Sequence, residues 1–512
     1  MKDTTVTTEN VAELKNRIAE LEALVKYYEG QFRLAKHRQF GASSEKSEYD
    51  FGQLSIFNEA ELFADVSVPE PELAEVEKHY RKRTRLTTDK LPDNLPVEIA
   101  EHELPESERV CPECGGDLHK MGEDCREELK IIPAKAVIVR HVRHVYACRC
   151  CEGSSDHVPV VKAALPEPVI KGSFASAEAI AHIMTQKFVM GVPLYRQEQE
   201  WRRNGILLSR QTMSNWLMKA CEGWLEPIYD ALKKQLLKRD VLHADETTLQ
   251  VLREPGKTAQ SKSYMWLYRT SGDANHPIVL YEYQPDRKAL RPREFLKDFK
   301  GFLHTDGYDG YHKLPENITV VGRWAHVRRK FDEALKVVPV KGREDSLALV
   351  GKRYCDRLFE LEREFADLAP EERHKKRQEA SEPLMEEFFA WANSCNAVPK
   401  SPVGKATYYA LSQRKYLERY LLDGRLKISN NRAERSIKPF VIGRKNFLFA
   451  NTPRGAMASA VIYSIIETAK ENRLNPYDYL TYILKRAPNL DICNADHLEL
   501  LMPPHFKSAV MS

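Results

Sequence analysis

The chain is 512 residues long, 42% hydrophobic and 30% charged, with a formal net charge of +4. That length exceeds what one hydrophobic core can serve, so roughly three or four domains are expected. The near balance of charge excludes a uniform polycation, so any affinity for nucleic acid must come from segregated basic patches.

Met1-Lys-Asp-Thr-Thr-Val lacks the apolar run of a signal peptide, and no stretch reaches the length of a membrane span. A cytosolic protein is expected. In that reducing setting its ten cysteines point to metal rather than to disulfides.

Residues 10–46 open the chain with a coiled-coil pattern. Val11, Ile18, Val25 and Phe32 fall on one heptad position and Leu14, Leu21, Tyr28 and Ala35 on the other. The plainer alternative is an amphipathic helix lying on its own domain. A terminal position followed by a polar linker favours self-association, hence a homo-oligomer. Residues 47–95 are that linker: acidic through Glu59, Glu61, Asp65, Glu70, Glu72, Glu75 and Glu77, then basic at Arg81, Lys82, Arg83 and Arg85.

Residues 96–165 read as a zinc-binding domain. Cys111-Pro-Glu-Cys114 is answered by Cys148-Arg-Cys-Cys151, with a strand-like, β-branched stretch over 131–146 between them. Four thiolates in two such knuckles close a tetrahedral, structural Zn2+ site. Cys150 is the alternative to Cys151, and the C-x-x-C register favours Cys111, Cys114, Cys148 and Cys151. The competing reading is buried free cysteines.

Residues 172–238 turn helical. One helix runs to a turn at Gly205, and a second opens on Ser209 as its N-cap. This is the layout of a helix-turn-helix, in which Arg210, Gln211 and Ser214 point into a DNA groove. An ordinary helical hairpin has the same pattern.

From residue 239 the pattern is α/β. Strands are expected at 240–251, 263–270, 278–283 and 301–305, then helices from Gly322 to about 422. Within those helices the charged run 371–377 reads as a solvated face. Helices follow at 429–440 and 455–471, separated by a short strand at 446–449. A small helix at 476–484 begins the tail.

Three acids in this region suit metal-dependent DNA chemistry. Asp245 lies on the first strand, with Glu246 directed to the opposite face. Asp306 ends the fourth strand. Glu434 is the only carboxylate between residues 424 and 449, among Arg425, Lys427, Arg432, Arg435, Lys438, Arg444 and Lys445. A solvated helix face mixes both signs, so a lone carboxylate there points to a metal ligand beside a phosphate-holding surface formed by Arg432, Arg435, Lys438, Arg444 and Lys445. Oxygen ligands suit Mg2+ (or Mn2+), and a pair of such ions activates the attacking hydroxyl and stabilises the leaving oxygen of a phosphoryl transfer. Against this, any single aspartate is more often a cap or a surface charge. His326 reads as a core histidine, with a place near the metals as the alternative.

The motifs together resemble the large transposase of the insertion-sequence-sixty-six family, DDE enzymes of bacterial mobile elements. The resemblance is carried by Phe40-Gly-Ala-Ser-Ser-Glu-Lys46, Cys111-Pro-Glu-Cys-Gly-Gly116, Ile132-Pro-Ala, Tyr146-Ala-Cys-Arg-Cys-Cys151 and Pro193-Leu-Tyr-Arg-Gln-Glu198. It continues through His243-Ala-Asp245-Glu-Thr, Thr305-Asp306-Gly-Tyr, Trp324-Ala-His-Val-Arg-Arg-Lys-Phe331, Asn430-Asn-Arg-Ala-Glu434-Arg and Gly443-Arg-Lys-Asn-Phe-Leu-Phe449. It implies a multidomain α/β protein: a leucine-zipper-like start, a zinc-binding domain, a helix-turn-helix region and an RNase H-like core over 239–471. An all-helical insertion at about 332–422 would split that core, and a C-terminal element would follow at 472–512. It also implies Asp245, Asp306 and Glu434 as catalytic triad, DNA ends and target DNA as substrates, and a bacterial, nucleoid-associated location. Accessory proteins of the same element are further expected partners.

Two departures stand out. Many DDE enzymes carry a basic residue seven positions after the glutamate, where this chain has Val441. The separation of Asp306 and Glu434 is also long, which leaves Glu418 as a rival third acid, although its mixed-charge helix argues for Glu434. Rival functions are a DNA-binding regulator with an inactive core and a nuclease that only hydrolyses DNA. Loss of an acid would favour the first, and none is lost. The zipper favours strand transfer, which must hold two ends together.

Overall fold

The computed structural model describes residues 136–147, 160–272, 274–339 and 342–506. The expected coiled coil, the linker and all four candidate zinc ligands lie outside the described residues. The chain divides into two compact units, Ala42–Ala163 and a larger one containing Ala164–Ser512. In the smaller unit, β1 (Val145–Ala147) and β2 (Val160–Lys162) pair antiparallel, Val145 facing Lys162. The strand expected over 131–146 is thus confined, in its described part, to the last residues, and 136–144 form no regular structure.

The larger unit begins with helices. In α1 (Ala177–Phe188) the Ser176 hydroxyl accepts the Ala179 N–H, and the buried stripe is Ile180, Ile183, Met184 and Phe188, as the spacing predicts. Helix α2 (Leu194–Arg203) ends at Asn204, and Gly205 turns the chain at φ 75°, a left-handed value glycine adopts without strain. Helix α3 (Arg210–Ala220) starts on Ser209, whose hydroxyl accepts the Thr212 N–H. After a wider turn the chain continues into α4 (Glu226–Leu236).

A five-stranded sheet follows, ordered β5-β4-β3-β6-β7. Strands β3 (Val241–Gln250), β4 (Lys262–Thr270) and β5 (Val279–Gln284) form an antiparallel meander. After α5 (Leu290–Phe295), β6 (Gly301–His304) lies parallel to β3; beyond α6 (Asp309–His312), β7 (Ile318–Val321) lies parallel to β6. The sequence reading missed β7, which follows a short turn-rich segment and runs straight into the next helix start.

Six helices intervene before the chain returns: α7 (Trp324–Lys336), α8 (Leu347–Glu364), α9 (Pro370–Lys376), α10 (Glu382–Ser394), α11 (Pro402–Ser412) and α12 (Arg414–Leu417). They enclose their own apolar core around Trp324, Phe331, Leu358, Phe388, Phe389 and Tyr420. The charged run 371–377 is a solvated face only in part: Glu371, Glu372, Lys375 and Lys376 are exposed, but its two arginines turn inward. Arg373 and Arg377 are buried, because residues four apart share one helix side and this side turns inward. Arg373 donates to the carbonyls of Phe365, Ala366, Leu368 and Gly424. Arg377 grips Glu362 at 2.6 Å and 2.7 Å and donates to the carbonyls of Tyr420, Asp423 and Leu426. Two guanidinium groups thereby satisfy carbonyls at helix ends and turns that would otherwise be left unpaired.

Helix α13 (Asn431–Phe447) then lies against β3 and β4, and α14 (Pro453–Glu471) against β5. The strand expected at 446–449 is the end of α13: the helix runs past Pro439 to Phe447, and Leu448 at φ 64° stops it. The β-rich composition of Phe-Leu-Phe misled: Phe447 closes the helix, and Leu448 and Phe449 follow it exposed. Strand β5 is an edge, and α14 covers it chemically as well as sterically. Ser464 accepts the Tyr281 N–H at 2.8 Å, and Thr468 accepts the Val279 N–H at 3.0 Å. Helix α15 (Pro476–Arg486) packs on α1, and the segment after it returns Leu501, Met502 and Phe506 to the main core.

Replacing Arg377 by alanine would leave Glu362 and three carbonyls without their buried partner. A loss of about 3–5 kcal/mol is expected, read as a lower denaturant midpoint; an unchanged midpoint would show that water replaces the guanidinium at little cost.

Candidate active site

Strand pairing brings the two aspartates together. His243 lies opposite His304 in the parallel β3–β6 pair, so the register carried two residues on sets Asp245 beside Asp306, just beyond the end of β6. Both acids stand on the face of the sheet occupied by their histidines, since residues two apart point the same way. The rings of His243 and His304 are stacked at 4.5 Å and buried. Burial holds the His243 imidazole far below its usual range, at about 3, partly offset by its bond to Asn430, and drives His304 well below that range too. A neutral aromatic layer therefore underlies two carboxylates.

Helix α13 is held along β3 and β4. Buried Asn430, just before the helix, meets His243 Nδ1 with its oxygen and donates to the Ala244 carbonyl at 3.1 Å. Arg269, on β4 opposite His243, is buried; it binds both oxygens of Glu471 and donates to Ser436 Oγ and the Arg432 carbonyl. Near the far end Arg444 donates to the Thr248 carbonyl. These contacts fix the height and rotation of Glu434.

The acids surround one buried arginine. Arg323, 1% exposed, lies 3.5 Å from Asp245 Oδ2 and 3.3 Å from Glu434 Oε1, and donates to the Ala244 carbonyl at 3.2 Å. Glu434 also meets His326 Nε2 at 3.3 Å and Arg329 at 2.9 Å. Burial raises the Asp245 carboxyl above its usual value, opposed by Arg323 and reinforced by the charges of Asp306 and Glu434. Burial also works against Glu434, but the His326 bond and the charges of Arg329 and Arg323 overcome it and bring this carboxyl down to about 2. Glu246 points away, as its strand position requires, and its carboxylate meets Arg287 and, at 2.7 Å, Tyr311 Oη. Burial and the nearby Asp306 push Glu246 up to about 7. Arg287 extends on to Asp306 at 3.7 Å, so Glu246 acts on the site through an arginine.

Among the described residues no three acidic, histidine or cysteine side chains converge on a single ligating point. What lies about Arg323 is a set of carboxylate oxygens, and the charges of Asp306 and Glu434 raise the proton affinity of Asp245. That donor set fits a hard divalent cation, which wants oxygen ligands and the same charge neutralisation. Asp245, Asp306 and Glu434 are the residues able to hold one.

The basic residues near Glu434 divide by helix face. Lys438 and Lys445 share its side of α13, four and eleven residues on. Arg432 and Arg435 lie on the flank toward Glu471, whose carboxyl burial raises but Arg269, with the charges of Arg432 and Arg435, brings below its usual value. Arg444 is taken up by Thr247 and Thr248. On α3, Arg210 and Gln211 are exposed and Ser214 is half-buried; Arg210 leans toward Glu198 at 4.0 Å and Gln211 bonds Asn215. Glu418 forms a surface pair with Arg414 at 2.6 Å, an ordinary i, i+4 contact. His326 is half-buried against Glu434, so the core-histidine reading fails and its alternative place beside the acids is the one observed. Sequence reasoning missed Arg323 and Arg329. Their signal was the spacing of Arg323, His326 and Arg329, three residues apart at the start of a helix.

Comparison with known proteins covers most of the chain. The family described as "Transposase IS66 family" matches residues 172–458, and "zinc-finger binding domain of transposase IS66" matches 108–152, a span holding all four candidate zinc ligands. "Transposase C of IS166 homeodomain" matches 27–99 and "IS66 C-terminal element" matches 464–503. Among curated relatives, the uncharacterized protein y4qI of Sinorhizobium fredii is 33% identical over 428 residues, 80% of this chain and 75% of that protein. The uncharacterized protein y4jD of the same organism is 32% identical over 432 residues, 81% and 82% of the two chains. The chain belongs to the IS66 family of transposases.

Proposed function

We propose that this transposase cuts and joins DNA at a DDE site formed by Asp245, Asp306 and Glu434, carried on an RNase H-like core. The observation that carries the reading is the meeting of three acids, from two parallel strands and a distant helix, around Arg323. The mixed sheet, with an antiparallel meander on one side and parallel strands on the other, supports the fold assignment. Glu418, already paired on the surface, gives no competing third acid.

In this reading the three carboxylates hold Mg2+ (or Mn2+), which when bound lowers the pKa of the attacking hydroxyl and stabilises the leaving oxygen. The protein's own groups set the geometry. Asn430 and Arg269 hold Glu434 at its height on β3, while Arg287 braces Asp306 from Glu246. Lys438 and Lys445 line the side of α13 that Glu434 occupies and attract the DNA backbone. Helix α3 reads base edges at the element's ends through Arg210, Gln211 and Ser214. Cys111, Cys114, Cys148 and Cys151 hold a structural Zn2+. The heptad segment 10–46 pairs two chains, and so two DNA ends, in a homo-oligomer that acts in the bacterial cytoplasm at the nucleoid, assisted by accessory proteins of the same element.

Asp245→Ala, Asp306→Ala and Glu434→Ala are each expected to slow strand cleavage at least about a thousandfold, the loss of several kcal/mol of charge stabilisation. Binding to a duplex of the element's end should persist. A residue whose variant cuts at the native rate leaves the site.

Purified protein should contain a single Zn2+ per chain, lost in Cys114→Ser together with protease resistance of residues 105–155. Retention of the metal by this variant would disprove the ligand set.

Arg210→Ala or Gln211→Ala should change the preference among end sequences by about 1–3 kcal/mol. Lys438 and Lys445 changed together to glutamine should instead weaken every sequence alike and flatten the salt dependence by about 0.9 in slope per lost contact. Sequence-selective loss in the second pair would exchange the two assignments.

A further inference from the structure

Position 441, where a basic residue would share the Glu434 side of α13, holds a half-buried valine. The arginines of α13 do not make up the deficit: Arg432 approaches Glu471 at 4.0 Å, Arg435 is exposed on the same flank, and Arg444 is engaged by β3. The cation nearest the acids on the solvent side comes from another helix. Arg329 of α7 reaches Glu434 Oε2 at 2.9 Å with its side chain 53% exposed.

Its neighbours face elsewhere. Arg328 is paired with Asp356, and the Lys330 ammonium lies over the Tyr409 ring. Arg323 also touches Glu434, but it is 1% exposed and fixed by Asp245 and the Ala244 carbonyl, so it is enclosed in the protein. Glu434 thus meets two guanidinium groups and an imidazole, and the guanidinium of Arg329 is the one that lies on the open side. A guanidinium carries five N–H donors in a fixed fork, and Arg329 gives Glu434 one of them. Planar, exposed and aimed at the acids, it matches two oxygens of a phosphodiester.

We propose that Arg329 is the phosphate-holding cation of the site: it keeps one N–H on Glu434 and presents the others to the non-bridging oxygens of the phosphodiester to be cut. The arrangement supplies from α7 what Val441 does not supply from α13. It also couples the height of Glu434 to the position of that phosphate, because one side chain touches both. The proposal rests on the DDE reading above.

The test is binding of the full-length protein, without divalent metal, to a duplex made from the DNA flanking its coding sequence. Phosphates of the duplex are replaced one at a time by neutral methylphosphonates. For the native protein, neutralising the scissile phosphate should weaken binding about tenfold or more. In Arg329→Gln that penalty should vanish at this position alone, with the salt slope lowered by about 0.9. Arg329→Lys, which keeps the charge but not the fork, should recover part of it, and Arg328→Gln should keep the native profile. A native phosphate profile in Arg329→Gln, or an equal loss at every phosphate, would overturn the proposal. Thermal melting of each variant checks that the fold is kept; should Arg329→Gln not fold, Arg329→Lys with a fully native profile would overturn it instead. Cleavage by Asp245→Ala and Asp306→Ala separates the two failures. If those variants cut, the DDE reading falls; if they are inert while Arg329→Gln binds as native, only the Arg329 assignment falls.

Discussion

Three carboxylates cannot be drawn into a half-buried pocket without a counter-charge, and the rest of the structure follows from how this chain supplies one. Burial and mutual repulsion both raise the proton affinity of Asp245. Arg323 answers with a charge fixed between two of the acids, itself anchored to a β3 carbonyl. An arginine enclosed this way is tolerable only when its neighbours are anionic or carbonyl oxygens. The site and the residue are thus mutually dependent: Arg323 opposes the burial that favours a proton on Asp245, and the acids with the Ala244 carbonyl allow Arg323 to be buried. A divalent ion offers the same acids a stronger version of the same bargain.

Below the acids, order comes from neutral groups. Two histidines at matched positions of parallel strands stack instead of repelling because burial keeps both uncharged. Asn430 joins this layer to the start of α13, and Arg269 joins β4 to α13 and α14. The position of Glu434 is therefore set by the strands that carry Asp245 and its neighbour, across almost two hundred residues of intervening chain. Neither Asn430 nor Arg269 touches Asp245, Asp306 or Glu434, so the acids keep their oxygens for other partners.

Much of this was legible in the sequence. The stripe Ile180, Ile183, Met184 and Phe188, the serine caps at Ser176 and Ser209, and four of the five strands follow from period and capping chemistry. The isolated carboxylate Glu434 stood out because its neighbours are all basic. What stayed hidden depends on which way a charged side chain turns. Arg373 and Arg377 share a charged run with exposed residues, and only the carbonyls of distant turns decide that they are buried. Arg323 and Arg329 look like any basic helix start until Glu434 arrives from more than a hundred positions away. Composition misled at Phe447-Leu-Phe449, where strand-forming residues close a helix and follow it. Strand β7 went unread between a turn-rich segment and the next helix start.

The helical segment between β7 and α13 is more than a long spacer tolerated at a loop. Its first helix supplies Arg323, His326 and Arg329 to Glu434, and its far end holds that helix in place. The Gly322 N–H donates to the Tyr416 carbonyl at 2.9 Å, Trp324 N–H to Ile428, and the Trp324 indole to Leu417. Gly322 permits this approach, since a Cβ there would stand 3.1–3.2 Å from the backbone of Tyr416 and Leu417. Trp324 is at once the residue after Arg323 and a central ring of the second core, 5.2 Å from Phe388. A change that loosens that core, far from any acid, must therefore move the guanidinium beside them. The long separation of Asp306 from Glu434, which departs from compact spacing, is the chain length needed to build this support.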